Sequence, residues 1–368
     1  MTTLIVGGGP AGSTAAILLA RAGRPVTVLE RETGPHESVC GEFLSAEACD
    51  TLCRLKLDPV SLGGQPIDTL RLSRRNRTVT TTLPFRAIGL SRAVLDEALL
   101  ARATAEGADV RRGVRVGRLS PGWIAETSAG AVTGTRVLLA TGKSDLRGVE
   151  RVTRPPERLI GFRTHLAVSA ETARALRGAV EVTVLSHGYA GLQLVGDATA
   201  NLCLLVEREH FLRLKSDFAA LLDDISGDCT LLGTRLLGAV AERPSSIFRV
   251  PYGHVHRENA ADPSGLYRLG DQVAVIPSFC GDGIAIALHS GERAAAAVVA
   301  GISAAAYHAA MRRDVGGGVA LAFRLYRLAR TPVGSRALMA ACALWPGLMR
   351  ATARATRVRG RSLEWSTG

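Results

Sequence analysis

Residues Leu4 to Gly23 read LIVGGGPAGSTAAILLARAG, and the rest of the fold follows from how this stretch must lie. Leu4, Ile5 and Val6 stand together without polar alternation, the pattern of a strand buried on both faces. Glycines then turn the chain, and Ser13 to Ala22 has the composition of a small-residue helix that stops at Gly23. Pro25 introduces VTVLE, a second apolar strand ending at Glu30. Strand, turn, helix and strand make a right-handed βαβ unit. Within it Gly7, Gly9 and Gly12 have the G-x-G-x-x-G spacing. Gly7 permits the tight turn, Gly9 lets backbone approach a pyrophosphate, and Gly12 lets helix and strand pack closely. The helix N-terminus adds free N–H groups and a positive dipole end. Glu30, 18 residues beyond Gly12, can accept from both hydroxyls of an adenosine ribose. Its charge repels a 2′-phosphate. The unit is therefore expected to hold a dinucleotide, FAD or NAD.

A second glycine loop decides between them. GDQVAVIPSFCGDGIAIALHSGERAA runs from Gly270 to Ala295, after a strand read over Tyr267 to Gly270. One loop can cradle the ADP half of FAD, but the ribityl-flavin half extends well beyond it and needs backbone contacts of its own. Asp271 can hydrogen-bond a ribityl hydroxyl. The N–H groups around Gly283 and Ile284 can face the flavin pyrimidine at another helix N-terminus. Two loops for one elongated cofactor indicate FAD.

Bulk properties narrow the class. The chain has 368 residues and is 47% hydrophobic, enough for two domains or one large one. Its formal net charge is +12, carried almost wholly by arginine, yet no basic run is interleaved with aromatics, so nucleic-acid binding is not expected. Seven cysteines without a short-loop framework suit reduced thiols in the cytoplasm. No signal peptide is read at the start. No apolar run reaches the roughly 18 residues a membrane span needs. The longest, ALMAACALWPGLM from Ala337 to Met349, is interrupted by Pro346.

Along the chain, Ser45 caps a helix over Ala46 to Leu55, Leu70 to Leu83 reads as a hairpin turning near Asn76, and Ser91 to Gly107 is a long helix. VRRGVRVGRLS, WIAETSAG and AVTGTRVLLATG read as short antiparallel strands, the last returning to the first sheet. Ala179 to Glu207 is a run of strands, followed by two helices. The fold class is α/β: a Rossmann-like FAD-binding domain interleaved with a strand-rich α+β substrate domain, then a helical C-terminal tail. The expected boundaries are 1–68, 86–150 and 265–302 for the FAD-binding domain. The substrate domain takes 69–85 and 151–264, and the tail 303–368.

The motifs VGGGPAG…VLERE, CGEF, SRAVLDEAL, LLATG and GDQ…P…GDGI…A…SGERAA cover roughly residues 1–150 and 265–300. In order and spacing the chain resembles the glutathione-reductase-type flavoproteins of the aromatic-hydroxylase and geranylgeranyl-reductase superfamily. The resemblance implies that Arg92 and the backbone near Val116 contact FAD, along with Ala11, Glu30, Asp271, Gly283 and Ile284. Arg31, which follows Glu30 in VLERE, joins this set, as do Cys40 and Gly41 in the CGEF loop beside the flavin. CGEF and GDGI are closer to the reductase branch, where a lysine commonly precedes the cysteine by two residues; here that position is Ser38. Hydroxylases of the superfamily carry G-A-D-G where this chain has ATGKSDLRG, Ala140 to Gly148. Thr141 and Gly142 can still turn near the pyrophosphate, but the Asp-Gly pair is gone, so the usual docking of NADPH is in question. The W-x-W-x-I-P stretch of flavin halogenases is absent, since the tryptophans are Trp123, Trp345 and Trp365, so a halogenase is not expected.

Other constellations are weaker. His254-x-His256 lacks further ligands and is not expected to hold a metal. Cys49 and Cys53, four apart on a helix, are read as packing. Asp96 is read as an anchor of its helix. No nucleophilic triad stands out, and no catalytic side chain is assigned. The resemblance implies a monooxygenase that hydroxylates an aromatic or lipid-like polyketide substrate through reduced flavin and O₂. Hydride delivery to an alkene is the alternative, and an FAD-binding module without turnover a third reading. The electron donor is NAD(P)H or a separate reductase. The tail from Gly334 to Arg361 pairs an apolar helix with arginines, so peripheral contact with a membrane is a further expectation.

Overall fold

Five strands of three or four residues form a parallel sheet in the order Leu266–Arg268, Arg136–Leu139, Thr3–Val6, Val26–Leu29, Asp109–Arg111. Every residue of Thr3–Val6 and Val26–Leu29 is buried, because helices cover one face of the sheet and a three-stranded meander within residues 116–133 covers the other, leaving no face for alternation to mark. The structure is a computed structural model that describes residues 2–153, 158–258 and 262–358. Gly7, at φ +104°, turns the first strand into the helix Pro10–Arg21; a Cβ there would lie 2.8 Å from the carbonyl carbon of Ala140. The other glycine loop enters the helix Gly283–Ala300, which packs along Pro10–Arg21. The approach is backbone-close: a Cβ at Gly291 would sit 2.5 Å from the Ala11 carbonyl oxygen and 2.9 Å from the Thr14 Cβ.

VRRGVRVGRLS, read as one strand, divides at Gly113, whose φ of +70° turns the chain. Asp109–Arg111 joins the edge of the parallel sheet, while Val116–Ser120 starts a three-stranded antiparallel meander with Ile124–Thr127 and Gly130–Thr133.

The second sheet is mixed and nine-stranded. Its hairpin, Gln65–Arg74 with Arg77–Gly89, turns at Asn76 and reaches beyond the Leu70–Leu83 stretch at both ends. Gly178–Leu185 runs parallel to the first of these strands and antiparallel to Gly188–Leu194, which in turn pairs with Thr199–Glu207 and it with Leu159–Ala167. Helices Arg208–Arg213, Phe218–Asp228 and Thr230–Leu236 cover one face around Phe162, whose ring meets Phe211 edge-on at 4.8 Å. In the tail, Ala304–Ala329 leans on the first sheet. Pro332–Leu344 and Gly347–Ala355, separated at Pro346, lie against the hairpin. Among the described residues no helix is long and apolar enough to cross a membrane.

Three imidazoles sit together under the first sheet's edge: the His256 ring lies edge-on to His308 at 4.5 Å and 6.4 Å from His254. The His308 Nε2 accepts the Arg268 N–H at 3.0 Å, which requires a neutral ring. Burial, followed by Arg151 at His254, Arg268 at His256 and the His256 ring at His308, pushes His254 and His256 down to about 4 and His308 to about 3.

Two stability predictions follow from this packing. Gly291→Ala should destabilise the fold by about 1–3 kcal/mol through overpacking. Gly317→Ala, in open space on Ala304–Ala329, should stabilise it by about 0.5–1 kcal/mol. Urea titration of both variants checks the contrast in sign. The histidines set a pH dependence. Their folded pKa values lie below the unfolded value of about 6.5, so the unfolded chain binds more protons and stability falls as pH drops from about 6.5 towards 4. Asp282, pushed up to about 6 by burial, works the other way over part of that range, one group against three. Thermal melts between pH 7 and 4.5 should show the loss, and His308→Gln should flatten it.

Candidate functional site

Where the two sheets meet, a cleft of about 770 Å³ opens along the ends of the parallel strands. Gly7, Gly9, Ala11, Glu30, Arg31, Cys40, Gly41, Arg92, Val116, Thr141, Gly142, Asp271, Gly283 and Ile284 all line it. Gly12 does not; it sits behind, its Cα against the Gly7 carbonyl, where a side chain would collide. The Glu30 carboxylate is 6% exposed and accepts the Gly8 N–H at 2.6 Å and the Glu32 N–H at 2.8 Å, which fixes it at the end of its strand. Arg92 forks onto the buried Asp96 at 2.8 and 2.7 Å, with one guanidinium nitrogen beside Gly9. Burial lowers the Arg92 pKa, but the Asp96 carboxylate outweighs it, and the group is held cationic. Asp96 is an anchor in this arrangement, and Arg92 is the charge presented to the cleft.

Several residues at the site had no role in the sequence reading. Arg151 laces three segments: it donates to Asp145 at 2.6 Å, to the Lys143 carbonyl at 2.6 Å and to the Asp271 carbonyl at 2.7 Å. Gln272 donates to the carbonyls of Gly142 and Ser144, each at 2.9 Å. The ATGKSDLRG segment is thus pinned to the second glycine loop by side-chain bonds to its backbone. Lys143 pairs with Asp271 at 3.2 Å and reaches the Val39 carbonyl at 3.5 Å, which brings an ammonium to the loop that holds Cys40. Nothing in the local pattern marked Arg151, since its partners are distant in sequence. Gln272 stood inside the quoted GDQ.

Glu42 of CGEF is fully buried at φ +56°, a conformation few non-glycine residues adopt. Its surroundings hold it there. One carboxylate oxygen accepts from the Arg92 N–H at 2.8 Å and from Arg163 at 3.0 Å, and the other meets His165 at 2.8 Å. The Glu42 carbonyl accepts from Leu90 and Gln193. Arg163 also pairs with Glu37 at 2.6 Å. Glu37, Glu42 and His165 are close enough to converge on an ion, but the Arg163 guanidinium bonds both carboxylates and places a positive charge there instead. His254 and His256 belong to no metal-ligating group among the described residues. Alternate residues of LIGFRTHLA put Arg163 and His165 on one strand face, the one signal that could have revealed this cluster.

A second, apolar cavity of about 220 Å³ adjoins the cleft and shares Gly41, Phe43, Ser278 and Gly281 with it. The second sheet forms one wall, through residues such as Leu72, Val182 and Leu205; the tail forms the other, through Leu338, Leu348 and Met349. Arg357, in the basic segment of the tail, turns inward to Asp282 at 3.2 Å and to the Cys280 carbonyl. Leu344 and Trp345 are exposed at the turn between tail helices, as are Arg350 and Arg354. Arg359 and Arg361 lie outside the described residues.

The cleft residues fit FAD: a helix N-terminus beneath a glycine turn, a fixed carboxylate at the next strand end, and a second loop and helix N-terminus opposite. The comparisons agree. Residues 1–122 match the FAD binding domain family. The chain is similar to the flavin-dependent halogenase armH1 of Armillaria mellea, 26% identical over 343 residues that cover 81% of this chain and 65% of that protein. It is also similar to menaquinone reductase of Mycobacterium tuberculosis, 46% identical over 54 residues, which are 15% of this chain and 13% of that protein. Among solved structures, the flavin-dependent brominase Bmp2 superposes with a TM-score of 0.77 at 20% identity, over 97% of this chain and 93% of that one. PqsL of P. aeruginosa in complex with 2-aminobenzoylacetate gives 0.72 at 18%, over 91% and 98%. These likenesses identify the fold as that of the flavin-dependent proteins, with an FAD-binding domain in the N-terminal third.

Glu30→Ala should weaken FAD binding by about 1.5–3 kcal/mol, through lost charge-assisted hydrogen bonds to the ribose. It should also lower the melting temperature of the FAD-free protein, because the Gly8 and Glu32 N–H groups lose their acceptor. Equilibrium dialysis against FAD and melts of the FAD-free protein measure the two effects separately. Unchanged FAD affinity would remove Glu30 from the cofactor set.

Proposed function

We propose that the chain is an FAD-dependent monooxygenase acting on a small apolar substrate, aromatic or lipid-like, through reduced flavin and O₂. The observation that carries this reading is the apolar cavity that adjoins the cofactor cleft and shares Gly41, Phe43, Ser278 and Gly281 with it. When bound, FAD supplies the redox chemistry and the reaction with O₂. The chain's residues bind it, orient it and keep water out. Arg92 and the two helix N-termini place positive charge along the cleft. The tail, through Leu338, Leu348 and Met349, forms one wall of the cavity. Its exposed Leu344 and Trp345, beside Arg350 and Arg354, suit contact with an anionic lipid surface, a source of such a substrate.

Alkene reduction is the second reading. It draws on the CGEF and GDGI forms and on the short match to menaquinone reductase. A binding role without turnover is a third, and tight FAD binding with no substrate-linked electron flow would favour it. In all three the donor is open. Loss of the Asp-Gly pair, with Gln272 occupying the Gly142 and Ser144 carbonyls, favours a separate reductase or ferredoxin over free NADPH.

Stopped-flow mixing tests both halves. NADPH should reduce the flavin slowly. After anaerobic reduction, mixing with O₂ should give a transient species spectrally distinct from reduced and oxidised flavin. Direct, slow return to the oxidised spectrum would favour the reductase, and fast saturable reduction at micromolar NADPH would overturn the donor assignment.

A further inference from the structure

The apolar cavity is lined by a buried phenol that the protein leaves unsatisfied. Tyr189, in the strand Gly188–Leu194, is 8% exposed and forms part of the cavity wall, and its hydroxyl is buried with no hydrogen-bond partner among the described residues. Buried hydroxyls are nearly always paired, so an unpaired one that faces a cavity marks a place where a ligand completes the bond. The ring is held edge-on to Phe279 at 6.0 Å, which restrains it from swinging out to water. The nearby hydroxyls of Tyr252 and Ser278 bond each other at 2.7 Å and lie close enough to interact with it, without making a bond of good geometry to its oxygen. Burial pushes the Tyr189 phenol well above its ordinary pKa, so it stays protonated and can donate. Ser278 lines both the cavity and the cofactor cleft.

We propose that Tyr189, together with the Ser278–Tyr252 hydroxyl pair, forms a subsite for a single oxygen acceptor, such as a ketone carbonyl, on an otherwise apolar substrate. This rests on the reading of the cavity as the substrate pocket. Around the subsite the wall offers aliphatic side chains, including Leu159 and Leu205. Because Ser278 stands at the junction with the cleft, a ligand oxygen held there sets which end of the molecule faces the cofactor. The pair of hydroxyls therefore governs orientation as well as affinity.

The test uses the FAD-loaded protein and two probes of matched shape, 2-acetylnaphthalene and 2-ethylnaphthalene, which differ by the carbonyl. Isothermal titration gives the ratio of the hydrocarbon's Kd to the ketone's. Tyr189→Phe should lower that ratio by about threefold to tenfold, the worth of one neutral hydrogen bond, and leave the hydrocarbon's Kd unchanged. Ser278→Ala should lower it as well, and it decides the question if Tyr189→Phe fails to retain FAD. A ratio unchanged in the variants, with both probes still bound, overturns the subsite and leaves the substrate pocket standing. Failure of the wild-type protein to bind either probe overturns the pocket reading and the subsite with it.

Discussion

The close approach of two helices organises this protein. Pro10–Arg21 and Gly283–Ala300 carry the two glycine loops, and they touch where Gly291 meets the Ala11 carbonyl and Thr14. Only a residue without a Cβ allows that separation, so the contact is set by backbone sterics. Its consequence is that two helix N-termini, from loops more than 250 residues apart in sequence, open on one cleft. Their dipoles and free N–H groups are then available to a single elongated anionic cofactor.

The second sheet is tied to that cleft by charge. Glu42, Arg163 and His165 are all buried, and ionic groups are costly to bury unless each is paired and hydrogen-bonded. Here the requirement is met only when the CGEF loop, the start of the Arg92–Ala105 helix and the strand Leu159–Ala167 are in register. A displaced sheet would leave an uncompensated charge, so the network acts as a registration device between the sheets. It also holds Glu42 in a left-handed conformation that its local sequence would not select.

The tail contributes a wall. Its helices are rich in alanine and poor in large apolar residues, which makes them weak structures alone. Packed on the hairpin, they turn Leu338, Leu348 and Met349 to the cavity. Arg357 closes the arrangement by reaching Asp282 at the start of the second cofactor helix. Cavity and cleft are therefore linked through the same loop, residues 278–282, and what occupies one bears on the other.

The sequence by itself determined the α/β class, the βαβ unit, the two glycine loops and fourteen of the residues that line the cleft. Those features rest on local rules: strand and helix periods, glycine where backbone must turn or approach, a carboxylate at a strand end. Three things were decided only by tertiary structure. Arg151 and Gln272 act through carbonyls of distant segments, and a carbonyl has no signature in sequence. The Glu42 cluster joins residues 121 and 123 positions apart, so its pairing becomes visible only once the strand order is known. The apolar cavity belongs to no single element, since it is the space left between a sheet face and three tail helices. Where side chains meet across the fold depends on how the layers stack, and no periodicity along the chain records that.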